Sequence, residues 1–358
     1  MSDPKPALNH LPSDLIEEIL PLLPPKSLGR FKSVSKRWYS LISGPNFIKT
    51  HIRIFTENNP NPDPTHMILG PGDNDSFYSL DIKQLNTQTT LAPKRLNIRL
   101  NIPAEQCVAI LGSCNGLVLA HDVRLPDNYY LLNPTTRKSL KVPDSGVERI
   151  GDTLGFGYDS SKDDYKVILI LRISFNCTSA LVYSLRNNSW NKLSNFPYLL
   201  CDHGRGVLIN NNLHWVVKSR HSTLTIVAFN LASEELREIE LPDYDCRRRP
   251  TFFLYVFGER LCILLHYWLN HDNCDFELWV MEEYGVPKSW TKFCIFEYDS
   301  DFEFIAQISN WAILLGDYLS GEICIYNMNE RRCTSLKIEG HTQRLMVNGT
   351  YVESLESL

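Results

Sequence analysis

The chain has 358 residues, 43% of them hydrophobic and 22% charged, which is the composition of an ordinary soluble globular protein long enough for roughly two domains. Its formal net charge of −5 argues against general nucleic-acid binding, which takes its affinity from neutralising phosphates. No apolar run approaches the roughly 18 residues that a membrane span needs, so neither nucleic acid nor membrane is expected as a partner.

The polar, proline-containing sequence after Met1 gives no signal peptide to expect, and residues 1–8 read as a disordered lead. Ten cysteines are scattered without a C-x-x-C pair, and Cys262 and Cys324 sit inside apolar, strand-like runs. That pattern suits reduced, buried thiols in the cytoplasm or nucleus better than a disulfide framework. The N-x-S/T triplets at Asn74, Asn176, Asn187 and Asn348 carry no meaning without secretion.

Residues 9–52 are helical in pattern and too apolar on one side to stand alone. Pro12 suits a first helical position, and Asp14, Glu17 and Glu18 lie near that helix's positive end. Leu15, Ile16, Ile19 and Leu20 share a face, and Pro21 should end the helix early. Pro24-Pro25 stops it. A second run follows through Leu28, Phe31 and Val34. Ser35 is an N-cap candidate for a third helix holding Trp38, Leu41 and Ile42, and Gly44-Pro45 closes that one. Phe47 and Ile48 read as a last helical turn. A module this small seldom stabilises itself without a staple or a partner. It holds no cysteine or metal cluster, so a hydrophobic partner surface is the physical expectation. The alternative is a bundle that packs only on the rest of this chain.

These residues resemble an F-box. Leu11-Pro12, Asp14-Leu15-Ile16, Ile19-Leu20, Leu23-Pro24, Lys26-Ser27-Leu28, Arg30-Phe31-Lys32, Val34-Ser35-Lys36, Trp38 and Leu41-Ile42 stand where that family has them. Pro21 and Pro25 depart from its usual residues. The resemblance implies docking onto a Skp-family adaptor, and through it a cullin scaffold, with Leu11, Pro12, Leu15, Ile16, Ile19, Leu20, Leu28, Val34 and Trp38 as adaptor-binding residues.

Residues 53–65 read as a linker, since the stretch 58–64 (NNPNPDP) is rich in turn formers. Over 66–358 the pattern changes to period two, and it repeats. Short apolar runs end at Asp81, Asn133, Ser184, Asn230, Met281 and Asn327, spaced 52, 51, 46, 51 and 46 residues apart. Most are followed by a polar turn and another strand, at 139–142, 189–193, 236–241, 290–296 and 333–338. Most are preceded by a hairpin, the clearest being 207–209, Asn210-Asn211-Asn212 and 213–217, where asparagine tolerates the positive φ of a tight turn. Four short strands per period of about 50 residues mark a β-propeller blade. Five complete copies and a partial one near 77–91 predict six blades, with the C-terminal run 345–352 completing the first. A β-sandwich of similar strand content has no reason to repeat in this way. The expected fold is therefore mainly β with a small N-terminal α module.

The repeating region also resembles the F-box-associated domain of plant F-box proteins, often grouped with the kelch type. Gly112-Ser113-Cys114-Asn115-Gly116-Leu117-Val118, Leu132-Asn133-Pro134-Thr135-Thr136-Arg137, Gly155-Phe156-Gly157-Tyr158-Asp159 and Tyr351-Val352-Glu353-Ser354-Leu355 carry the likeness. It has neither the Gly-Gly pair of kelch repeats nor the Trp-Asp dipeptide of WD repeats.

No catalytic residue, cofactor or metal site is expected. The chain lacks a P-loop, a dinucleotide fingerprint, a G-x-S-x-G elbow and an H-E-x-x-H. Cys262, His266, His271 and Cys274 match no zinc spacing, and the last two read as loop residues. Asp163-Asp164 and Glu282-Glu283 read as solvated turn acids. Arg247-Arg248-Arg249, flanked by Asp243 and Asp245, reads as a solvated loop rather than a phosphate or nuclear-import site. Long connections tend to carry recognition, so Trp268, taken as loop-borne, and Arg247, Arg248 and Arg249 are the candidate target-binding residues. The combined reading is a non-catalytic substrate receptor of a ubiquitin ligase complex. Its rivals are a propeller enzyme or sugar-binding protein with an incidental helical lead, and an adaptor-bound protein with a non-degradative role.

Overall fold

The computed structural model of the protein describes residues 12–58, 65–70, 77–86, 90–98, 108–122, 125, 127–148, 150–193, 196–201, 205–219, 223–270, 273–298, 302–309, 312–317, 322–339 and 347–358. Among the described residues six sheets follow the six repeats, antiparallel but for one short strand added to the edge of the last. Blade two runs Val108–Cys114, Leu117–Asp122, Tyr129–Asn133, Lys138–Lys141 from the innermost strand outward, and blade three Gly151–Asp159, Asp164–Ser174, Cys177–Ser184, Ser189–Lys192. Blade four is Val207–Ile209, Asn212–Lys218, Leu224–Asn230, Leu236–Ile239, with Leu199–Leu200 added beside it. Blade five is Thr251–Phe257, Arg260–Asn270, Asn273–Met281, Trp290–Tyr298, and blade six Phe302–Ser309, Ala312–Asp317, Ile323–Asn327, Arg332–Ile338. Every run on which the period was measured is the third strand of its blade.

The chain makes a ring because each blade buries both faces of its middle strands against its neighbours. In blade three the continuous apolar run from Val167 to Leu171 alternates. Val167, Leu169 and Leu171 pack with Leu119 and Leu131 of blade two, while Ile168 and Ile170 pack with Leu213 and Val227 of blade four. That two-sided burial is why the strand carries no polar partner at every second place. Equivalent clusters fill each of the other four blade junctions, including that between blades six and one.

Closure uses two crossings. Val347–Tyr351 pairs with His66–Leu69 and becomes the innermost strand of blade one, ahead of Phe77–Asp81 and Lys94–Leu96. Thr90–Leu91 leaves blade one and pairs in parallel with Lys337 and Ile338 on the outer edge of blade six. The partial first copy therefore ends differently from the sequence reading. Its fourth strand is Lys94–Leu96, and the residues around Leu91 belong to the last blade.

The repeated asparagines have a local cause. Asn133, Asn230 and Asn327 each end a third strand, and each Oδ1 accepts the N–H groups two and three residues on. The turn then needs a left-handed residue four places along, which Arg137, Glu234 and Arg331 supply at φ 62°, 60° and 51°. In blade five the same place is Gly285, whose N–H donates to the Met281 sulfur. The Asn210-Asn211 hairpin has positive φ at both residues, as the sequence predicts.

Among the described residues the N-terminal module has four α-helices: α1 (Ser13–Ile19), α2 (Pro25–Phe31), α3 (Lys36–Ser43) and α4 (Pro45–Asn58). α1 gives way at Pro21 to a 3-10 turn, Leu20–Leu22. Pro25 opens α2, where its missing N–H costs nothing. Ser35 caps α3 by accepting the Trp38 N–H at 3.1 Å. The fourth helix is a correction to the sequence reading, which allowed one turn near Phe47 and began the linker at 53. α4 runs on to Asn58 because no residue from Phe47 to Glu57 is glycine or proline.

Candidate partner-binding surfaces

The helices have an inner and an outer apolar face, and the sequence reading had merged them. Leu20, Leu28, Ile42, Phe47 and Ile48 are buried together, with Ile16, Phe31, Trp38 and Leu41 packed around them. Leu20 and Leu28, expected to meet an adaptor, are therefore core residues with no free surface. Successive helical residues point about 100° apart, so Ile16 and Leu20 turn inward while Leu15 and Ile19 turn outward. Leu15, Ile19, Leu22, Val34 and Tyr39 are 43%, 46%, 66%, 62% and 59% exposed. Leu22, in the 3-10 turn after α1, and Tyr39, on α3, were missed. Pro12 is exposed, Ile16 and Trp38 are half-buried, and Leu11 lies outside the described residues.

The inner face meets the ring. Leu355, from the C-terminal tail, is buried within the helical core. Lys26 of α2 pairs with Glu353 at 2.8 Å, and its Nζ lies 3.2 Å from His66 Nε2. Burial holds the His66 imidazole below its ordinary value despite the pull of Glu353. Lys49 of α4 pairs with Asp163 in a blade-three turn. Burial would raise the Asp163 carboxyl, but hydrogen bonds from Lys49 and Tyr158 outweigh it and hold the group below the usual range. Asp163 is thus no idle turn acid. Its neighbour Asp164 is buried, accepting from Ser184 Oγ and the Arg186 N–H.

Antiparallel strands put successive connections at opposite ends of a blade. First-to-second and third-to-fourth turns therefore share one end of the ring with Tyr351, the tail and the helices. Second-to-third turns and blade-to-blade connections share the other end, here the open end, over which no described residue of the N-terminal helices or the tail lies. On that open end Leu125, Ile150, Ile173 and Phe175 are exposed, Phe175 by 87%. Ile150 and Ile173 are held side by side, since the Ile150 N–H donates to the Arg172 carbonyl. Beside them Tyr129, which opens the third strand of blade two, donates its hydroxyl to Asp152 at 2.9 Å.

The candidate target-binding residues also fall at the open end, with corrections. Trp268 lies in the strand Arg260–Asn270, opposite Cys274, and not in a loop. The pairing of this strand with Asn273–Met281 runs on to Asn270 opposite Asn273, past the point where turn formers suggested an end. The Trp268 side chain lies outside the described residues, as does His271, and Cys274 is a strand residue. Among the described residues no three of His, Cys, Asp and Glu converge as a metal site would require. Arg247 is exposed and folds back on Asp245 at 2.9 Å. Arg248 is pinned, paired with Asp275 and lying 3.9 Å over the Tyr267 ring. Arg249 is exposed, with φ 47°.

Two family models match this chain, one for an F-box domain over residues 8–50 and one for an F-box associated beta propeller domain over residues 71–358. An F-box/kelch-repeat protein of Arabidopsis thaliana is 31% identical over 334 residues, covering 90% of this chain and 89% of that protein. F-box protein CPR1, also of Arabidopsis thaliana, is 29% identical over 322 residues, covering 79% and 72%. With both modules matched in order over a six-bladed ring, the chain belongs to the family of plant F-box proteins that carry an F-box-associated β-propeller.

Proposed function

We propose that this protein is the substrate-recognition subunit of a Skp–cullin–F-box ubiquitin ligase, acting in the cytosol or nucleus. The observation that carries the reading is the set of exposed apolar side chains Leu15, Ile19, Leu22, Val34 and Tyr39 on a module matched as an F-box. Burying one such side chain is worth about 1.5–3 kcal/mol, so a hydrophobic adaptor surface has several anchors to cover. The helices and the tail occupy one end of the ring. The open end is left for a target protein, with Leu125, Ile150, Ile173 and Phe175, and with Arg247 and Arg249, as its contact residues.

The chain itself then does no bond chemistry. A ligase complex brings activated ubiquitin close to a lysine of the bound target, and this subunit supplies orientation and effective concentration. The test is affinity purification of the full chain with mass spectrometry, beside two double variants. Leu15→Lys/Ile19→Lys should lose the adaptor and keep the target. Ile150→Asp/Phe175→Asp should lose the target and keep the adaptor. Recovery of both partners at parental levels with both variants would overturn the assignment of the two surfaces.

A further inference from the structure

We infer that the C-terminal tail, residues 352–358, is a structural part of the F-box and clamps it to the ring, so that the outward-facing Leu15 and Ile19 and the open end move as one rigid body. The inference goes beyond the proposed function and does not depend on it. A helical module of this size is short of core, and the side chain that completes this one comes from the far end of the sequence. Leu355 is 5% exposed among Leu20, Leu28, Ile42, Phe47 and Ile48.

The tail is in turn fastened to the ring at each step. The buried Asn133 Nδ2 donates to the carbonyls of Ser354 and Glu356, at 3.3 and 2.8 Å. Its Oδ1 meanwhile shapes the blade-two turn, so this one amide serves both the repeat and the tail. The Ser354 N–H donates to Thr135 Oγ1 at 3.2 Å, and the Tyr165 hydroxyl donates to the Glu356 carboxylate at 2.9 Å. Gly116 is where the tail crosses blade two. A Cβ there would stand 2.2 Å from the Ser354 Cβ and 2.9 Å from the Val352 carbonyl oxygen. Leu358 ends packed against the junction of blades two and three. Two charged contacts brace the clamp from the helical side, Lys26–Glu353 and Lys49–Asp163. A freely swinging module on a proline-rich linker has no use for any of these.

Hydrogen exchange with mass spectrometry on the full-length chain tests this without any adaptor, so its result stands apart from the proposed function. Leu355→Ala should speed exchange of the α2–α4 amides about tenfold while blades four to six keep parental protection. Leu355→Asp should do the same more strongly. Glu353→Lys should speed the helices a few-fold, and adding Lys26→Glu should restore them, since the swapped pair can re-form. Unchanged helix protection in Leu355→Ala would overturn the inference. So would a loss spread evenly over helices and blades, because the tail would then only close the ring. A charge swap that leaves the helices no better protected than Glu353→Lys alone would overturn the bracing by Lys26.

Discussion

The two ends of the ring are built from the same strands to opposite specifications. At the helix-bearing end the described hairpin turns are short and stereotyped. Asn115-Gly116, Asn210-Asn211 and Gly258-Glu259 join first to second strands, and the asparagine-headed turns at 133, 230 and 327 join third to fourth. The Asn133, Asn230 and Asn327 Oδ1 atoms are spent on the backbone, and the tail crosses the turns of blade two while Lys49 of the F-box reaches the first turn of blade three. At the open end two blade-to-blade connections are longer, from Lys141 to Gly151 and from Ile239 to Thr251, and large apolar side chains stand in solvent. The repeat constrains one end because a misplaced turn would throw a whole blade out of register. It leaves the other end free to vary, and recognition usually resides where the scaffold leaves that freedom.

The largest expected effect breaks the constrained end. Deleting residues 347–358 removes the innermost strand of blade one, the buried Tyr351 and the clamp together. We expect a loss on the order of 5 kcal/mol or more, most of a domain's stability, read as the collapse of a cooperative urea transition. A truncated chain that melts like the parent would show that the ring closes without it.

Next comes the division between the inner and outer faces of the helices. Leu28→Ala, fully buried, should cost about 2–5 kcal/mol of F-box stability through the cavity it leaves. Leu15→Ala, on the exposed face, should cost under about 1 kcal/mol. Equal losses in a denaturation series would erase the distinction on which the adaptor surface rests.

An acid titration sharpens the buried side of the comparison. His214 is fully buried between the Val207 carbonyl and the Tyr284 hydroxyl, and burial pushes its imidazole down to about 4. A histidine depressed in the folded state favours folding fully above its unfolded value of about 6.5, and that advantage is lost as pH falls through the interval to 4. The loss should be on the order of 3 kcal/mol. Stability measured against pH should show it, and His214→Gln should flatten that part of the slope.

The smallest effects belong to the open end. Arg247→Ala should leave the melting temperature at the parental value, since its ion pair is solvated. Arg248→Ala should cost about 1–2 kcal/mol, having both a carboxylate and a ring to lose. A reversal of that order in thermal melts would place the wrong arginine on the surface.

Most of the ring was legible because its cause is periodic. Third strands ending at Asp81, Asn133, Ser184, Asn230, Met281 and Asn327 announce a blade each, and Asn210-Asn211 announces a hairpin. The split of Leu15 and Ile19 from Ile16 and Leu20 was not legible, because a helix with apolar residues on adjoining faces does not say which face is covered. Nor was the placement of Thr90 and Leu91, since a two-residue strand pairs where geometry takes it. The clamp was the largest omission. Leu355 and Leu28 are joined by no local pattern, and only the folded ring brings the tail beneath the helices. Trp268 was misjudged because the histidine, aspartate and asparagines after it read as a loop, when the strand pairing continues to Asn270 opposite Asn273.

The most direct test of the central claim is calorimetric titration of the purified full-length chain with a purified Skp-family adaptor. The account predicts saturable binding of one adaptor per chain. Leu15→Lys/Ile19→Lys should weaken it at least a hundredfold, about 2.7 kcal/mol or more, while the propeller's melting stays at the parental temperature. A folded parent that binds no adaptor, or a double variant that binds as tightly as the parent, would contradict it.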